Sequence, residues 1–153
     1  MNSESSSLFQ KITQQEYLNQ NIQNKLEEEG YELITSIGVN RLVFKSSNNT
    51  VVKVARDMDK IEKNYDESVY WSSYKDTDLL CPITDNCPHY TWVEMKYCIP
   101  APNEFITFKE KMNNSRIKID DLHPDNIGRI NDNGRMLVCF DYHDVYENNN
   151  TES

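Results

Sequence analysis

The stretch Ile117 to Asp144 reads IKIDDLHPDNIGRINDNGRMLVCFDYHD and decides how the rest of the chain is read. Asn133-Gly134 is a strong two-residue hairpin signal, because both residues tolerate the positive φ of a type I′ turn. With the turn placed there, Asp132 faces Arg135, Ile130 faces Leu137, Ile127 faces Phe140 and Asn126 faces Asp141. Residues directly opposed across such a ladder have Cβ atoms about 5 Å apart. The expected hairpin therefore sets an amide oxygen beside a carboxylate at its open end. Two hard oxygens at that separation suit Mg²⁺, which takes one or two protein oxygens and completes its shell with phosphate and water. A further acid, Asp121, lies just upstream on a Pro-containing loop, with Asp120 beside it.

Upstream of this stretch the pattern is α+β. Thr13 and Glu16 form a capping box. Leu18, Ile22 and Leu26 share one helical face, and Gly30 is placed to end that helix. Strands are expected over Tyr31–Gly38, Arg41–Ser46 and Thr50–Ala55, with Ser47-Asn48-Asn49 turning between the last two. Within the third strand Val52 and Val54 point one way, and Val51, Lys53 and Ala55 the other. A lone cation on an apolar strand face needs a partner. Residues 57 to 75 read as a helix carrying Glu62, Asp66, Glu67, Tyr70 and Trp71. A short strand is expected over Leu79–Ile83, a turn over Asp85–Pro88 and a strong strand over Tyr90–Tyr97. Ile99-Pro100-Ala101-Pro102 stiffens the chain as a linker. Residues 103 to 112 read as a short helix bearing Phe105 and Phe108.

Composition limits the classes of function. The chain has 153 residues and a formal charge of −9, with 16 Lys+Arg against 25 Asp+Glu and no basic run. Such a balance disfavours phosphate-backbone binding, so no nucleic-acid partner is expected. No run approaches the roughly 20 apolar residues that cross a bilayer, so no membrane role is expected. The first residues lack a secretory pattern. Cys81, Cys87, Cys98 and Cys139 form no C-x-x-C pair and read as reduced thiols in a cytoplasmic protein.

Four segments, in order, resemble the protein kinase-like superfamily. IDDLHPDNIG is similar to the catalytic loop of the aminoglycoside phosphotransferase-type and other atypical kinases, which often reads D-x-H-P-x-N. TVVKVAR resembles the strand with the phosphate-binding lysine, YDESVYW the helix that gives that lysine a glutamate, and YTWVEMKYC the strand running into the hinge. The resemblance implies an ATP- and Mg²⁺-dependent phosphotransferase acting on a hydroxyl of a protein or small molecule. Lys53 and Asp121 would be its catalytic pair, with Lys53 on the α- and β-phosphates and Asp121 the base. Glu67, or its competitor Glu62, would orient Lys53. Asn126 and Asp141 would hold Mg²⁺. Gly38 would lie in the phosphate-covering loop, Val43 and Val51 would cover the adenine, and the backbone of Glu94, Met95, Lys96 and Tyr97 would read its edge. His123 would hold the loop's shape.

The implied organisation is a flexible arm over 1–12, a helix over 13–30 and a small antiparallel-sheet N-lobe over 31–98. A hinge over 99–103 leads to a strongly reduced C-lobe over 104–145 and a disordered tail over 146–153. The pattern departs from the family in three places. Gly38 stands without the loop's other two glycines. Ile119-Asp120 replaces the usual His-Arg. Only YHDVYENNNTES follows Asp141. A conventional kinase docks its acceptor on a helical lobe here, so a protein partner supplying that platform is one expectation. The alternative function is an inactive, pseudokinase-type module that binds nucleotide or protein as a regulator or inhibitor.

Overall fold

The computed structural model describes residues 24, 26–35, 41–55, 60–142 and 144–148. The fold is mixed α+β, with several antiparallel sheets and short helices. It divides into two compact units. One comprises the described residues up to Tyr65 together with Ile83–Met95, and the other Asp66–Pro82 and the described residues from Lys96 onward. The capping box at Thr13 and Glu16 and the positions Leu18 and Ile22 lie outside the described residues.

In the first unit, strands β1 (Glu32–Thr35), β2 (Arg41–Lys45), β3 (Thr50–Ala55), β4 (Ile83–Asn86) and β5 (Trp92–Lys96) make one sheet in the order β1-β2-β3-β5-β4. The β1–β2, β2–β3 and β4–β5 pairs are antiparallel. A helix ends before β1 as expected. Gly30 has φ +94°, its N–H donates to the Glu27 carbonyl at 3.0 Å, and the Tyr31 N–H donates to the Leu26 carbonyl at 2.9 Å. These two bonds satisfy terminal carbonyls in a Schellman arrangement, which a residue with a Cβ would strain. Leu26 then packs with Phe44, Val52, Val54, Cys87 and Trp92, flanked by Tyr31, Leu33 and Leu42. The β2–β3 turn is closed by Ser46, whose N–H donates to the Thr50 carbonyl, with Asn49 at φ +61°.

The region before β5 differs from the sequence expectation. Residues 79–82 form no strand; Leu80 makes a single parallel bridge to Cys139. Asp85 and Asn86, expected in a turn, pair in β4 with Glu94 and Val93. The reversal falls two residues later, over Cys87–Tyr90. The Tyr90 N–H donates to the Cys87 carbonyl at 3.0 Å, and Tyr90 has φ +60°. Pro88 explains the shift, since it has no N–H to give a ladder and a fixed φ suited to a turn.

Helix α1 (Ile61–Tyr74) contributes to both units, and Asp78 at φ +62° ends the 3₁₀ turn Lys75–Thr77 that follows it. In the second unit β6 (Cys98–Pro100) leads through a 3₁₀ turn, Pro102–Glu104, into α2 (Phe105–Asn113), which buries Phe108 and Met112 one turn apart. Then come β7 (Ile117–Ile119), β8 (Ile127–Ile130), β9 (Leu137–Cys139) and β10 (Val145–Glu147). Strands β6, β8 and β9 form one antiparallel sheet in that order, and β7 pairs with β10 in another. Ile99-Pro100 therefore lies within a strand, paired with Arg129 and Gly128. Tyr146 and Glu147, in the polar run after Asp141, pair with Lys118 and Ile117.

The hairpin register is corrected by one residue. Ile127 pairs with Cys139, not Phe140, and Arg129 pairs with Leu137. The loop spans residues 131–135, closed by the Ile130 N–H donating to the Met136 carbonyl at 2.9 Å. Asp132 causes this. Its Oδ1 accepts the N–H of Gly134 at 3.0 Å and of Arg135 at 3.3 Å. An aspartate that caps its own turn outcompetes the two-residue reversal. Gly134 does not adopt positive φ, whereas Arg135 does, at +45°.

Candidate functional site

The loop from Asp120 to Asn126 is built by its sequence. At the end of β7 the Asp120 N–H donates to the Asp144 carbonyl at 3.2 Å. Asp121 takes φ +55°, a left-handed conformation that aspartate tolerates better than most residues. His123 is extended, as the residue before a proline must be, and Pro124 opens a 3₁₀ turn closed by the Asn126 N–H on the His123 carbonyl at 3.0 Å. Two backbone bonds then fix the loop's exit. The Phe140 N–H donates to the Asn126 carbonyl at 2.9 Å, and the Ala101 N–H to the Ile127 carbonyl at 2.8 Å.

This pairing brings Asn126 against Phe140, so Asp141 is the next residue along rather than the residue opposite Asn126. Asn126 ends a turn instead of extending the ladder. Both Asn126 and Asp141 are half-buried, with oxygen chemistry suited to Mg²⁺. Among the described residues no group of three or more His, Cys, Asp or Glu side chains forms a metal cluster.

Asp121 is exposed, and its Oδ1 lies 3.2 Å from His123 Nε2, itself exposed. A base must reach the proton it takes, and an exposed carboxylate on a fixed loop can do so. Asp120, its sequence neighbour, is engaged elsewhere: the Tyr146 hydroxyl donates to Asp120 Oδ1 at 3.3 Å, and the nearby carboxylate holds the Tyr146 phenol above its ordinary range. The two acids are thus distinguished by their partners. The Tyr146 contact had no sequence signal, because Tyr146 sits in a short polar run. Burial, reinforced by Asp66 and Asp144, raises the Tyr70 phenol above its usual value.

The remaining candidates belong to the sheet and to α1. Lys53 is the third of the paired residues in β3, opposite Val43, and is 4% exposed. Val51 is buried and Val43 half-buried. Gly38 lies outside the described residues. Along α1 the sequence left two glutamates in competition: Glu62 is exposed and Glu67 is fully buried, on the stripe that also carries Asn64. Arg41 donates from Nη1 to Asn64 Oδ1 at 3.0 Å, and Asn64 donates from Nδ2 to the Tyr90 carbonyl at 2.8 Å. An asparagine in mid-helix was the available clue to this network.

The β5 segment is strongly committed. The Glu94 carboxylate, 1% exposed, accepts from Thr84 Oγ1 at 2.6 Å and from Thr50 Oγ1 at 3.2 Å, so it ties β3, β4 and β5 together. Met95 is buried. The Lys96 N–H donates to the Pro82 carbonyl at 3.1 Å, and the Tyr97 carbonyl accepts from the Asn131 N–H at 2.9 Å. Lys96 Nζ meets Asp132 Oδ2 at 3.1 Å in an exposed pair. No protein-family model matches this chain, and no curated protein matches it.

Proposed function

We propose that the protein is an ATP- and Mg²⁺-dependent phosphotransferase of the protein kinase-like fold, transferring the γ-phosphate to a hydroxyl. What supports this above all is the join between the Asp121-bearing loop and the hairpin at the Asn126 carbonyl, which sets Asn126 and Asp141 on adjoining stretches of chain. Phosphoryl transfer asks a protein for positioning and charge neutralisation rather than covalent chemistry. In this proposal Asn126 and Asp141 hold Mg²⁺, Asp121 takes the acceptor's proton, Lys53 receives the phosphates and Glu67 orients Lys53. His123 positions Asp121. The nucleotide is the first partner; the acceptor's identity follows from the assay.

The test combines melting with radiolabelled transfer. Mg-ATP should raise the melting temperature, since a ligand of the native state stabilises it. Label should move from [γ-³²P]ATP to a generic acceptor or to the protein itself. Asp121→Asn should abolish transfer and keep the thermal shift, whereas Asp141→Ala should weaken the Mg²⁺-dependent part of the shift. No shift with Mg-ATP overturns the proposal.

A second reading, a nucleotide- or protein-binding regulator without catalysis, is favoured by one observation. The Lys96 N–H and Tyr97 carbonyl, expected to read the adenine edge, already bond to Pro82 and Asn131. Those occupied groups favour its protein-binding form, which an absence of Mg-ATP binding would select, whereas Mg-ATP binding with neither transfer nor hydrolysis would select its nucleotide-binding form.

A further inference from the structure

Of the four buried cysteines, two face each other. Cys81 Sγ and Cys98 Sγ lie 3.2 Å apart in the second unit, inside the van der Waals distance of two sulfurs and about 1.2 Å from a covalent S–S length. Neither the fold nor the phosphotransferase proposal uses them. Both thiols turn toward one acceptor, the Lys96 carbonyl, at 3.2 Å from Cys81 and 4.0 Å from Cys98. The backbone around them is held: the Cys81 N–H donates to the Cys139 carbonyl at 2.9 Å, and Cys98 pairs with Ile130 in the β6–β8 ladder. The other two cysteines have different neighbours. Cys87 Sγ meets Thr91 Oγ1 at 2.9 Å, and Cys139 Sγ meets the Asp141 carbonyl at 3.5 Å.

We propose that Cys81 and Cys98 form a dithiol site that is converted to an intramolecular disulfide by a small-molecule disulfide such as oxidised glutathione. Cys98, 7% exposed against 0% for Cys81, reacts first. Its thiolate attacks one glutathione sulfur, the glutathione S–S bond breaks, and one glutathione thiolate leaves. The Cys81 thiolate then attacks the Cys98 sulfur and expels the glutathione bound there. Two electrons pass from the protein to the oxidant, and two glutathione thiolates take up the two thiol protons. The link closes a ring over residues 81 to 98 that contains β4 and β5, the segment that leaves the second unit after Pro82 and returns to it at Lys96.

The test uses the full chain equilibrated in glutathione buffers of graded ratio, then quenched, alkylated and digested. The expected results are a mass loss of about 2 Da and a single cross-linked peptide joining Cys81 to Cys98. Oxidation should raise the melting temperature by roughly 5–10 °C, the size expected for a ring of this length in a chain of this size. Cys87→Ser should keep the link and Cys98→Ser should lose it. Mapping of the wild-type protein decides the matter even where a variant fails to fold. Four alkylatable thiols at the oxidising end, a link between any other pair, or a fall in melting temperature on oxidation would each overturn the proposal.

Discussion

Two glycines in the same hairpin have opposite fates when a methyl group is added. On Gly128, in β8 between β6 and β9, a Cβ would meet the Ile99 carbonyl oxygen at 2.7 Å, Phe140 Cε2 at 3.0 Å and Cys98 Cβ at 3.2 Å. The first contact is with backbone that is itself paired, Ile99 to Arg129 and Pro100 to Gly128, so β6 must move as a strand to make room. Overpacking of this kind costs about 1–3 kcal/mol, which for a chain of this size lowers the melting temperature by roughly 3–10 °C. On Gly134 a Cβ meets only Asp132 Oδ1, at 3.6 Å, with no positive φ to strain it. Alanine there also restricts the unfolded chain, so Gly134→Ala should be neutral or up to about 1 kcal/mol more stable. The assay is thermal and urea melting of both variants beside the wild type. Gly134→Ala falling further than Gly128→Ala would refute the observed register and restore the two-residue turn.

Arg135→Gly should stabilise by up to about 1 kcal/mol in the same melts, because a left-handed non-glycine residue carries about that much strain. Thr84→Val, at an exposed position where substitutions are ordinarily neutral, should cost about 1–3 kcal/mol in urea melts, since the buried Glu94 carboxylate loses its shorter bond. Asn64→Ala should cost a similar ~1–3 kcal/mol, because it removes the acceptor of Arg41 and the donor to Tyr90. Acid should destabilise through three carboxylates. Hydrogen bonds from Arg129, Arg116 and Lys96 hold Glu104, Asp76 and Asp132 below their ordinary values of 4.5, 3.8 and 3.8. A depressed carboxylate stabilises above its unfolded value, so melting temperature should hold down to about pH 4.5 and fall below it. A flat profile from pH 5 to pH 3 would count against these pairs.

Much of the sheet was legible in the chain. β3 was legible from its β-branched residues Thr50, Val51, Val52 and Val54, and Gly30 marked a helix end through a positive φ that glycine adopts at no steric cost. Both misplacements came from turn chemistry. Asn133-Gly134 carries a local hairpin preference, yet Asp132, one residue earlier, caps the loop and moves the ladder by one. Pro88 rather than Asp85 set the earlier turn, because β5 needs Asp85 and Asn86 as strand partners. The candidate loop was legible as a motif, whereas its contacts were not. The Tyr146–Asp120 bond and the β7–β10 pair join residues far apart in sequence, and local pattern carries no trace of them.

Among the described residues four charged side chains are buried: Arg41, Lys53, Glu67 and Glu94. For two of them the bonds are described above. Glu94 ties three strands through two threonine hydroxyls, and Arg41 fixes Asn64 of α1. The other two, Lys53 and Glu67, are the charges that the proposed function uses. Burying each ion costs several kcal/mol before any partner is counted, and apolar side chains of similar volume would fill positions 53 and 67 without that cost. Keeping a cation in mid-strand and an acid in mid-helix makes sense where a fixed positive charge must be in place before an anionic ligand arrives. Phosphoryl transfer sets that demand, and so does nucleotide binding without transfer. Replacing Lys53 by methionine and Glu67 by leucine together separates the two demands on the core: the double variant should lose no more than about 1.5 kcal/mol of stability in urea melts, while its Mg-ATP-induced shift should vanish. A variant that unfolds instead would mean the charges belong to the fold.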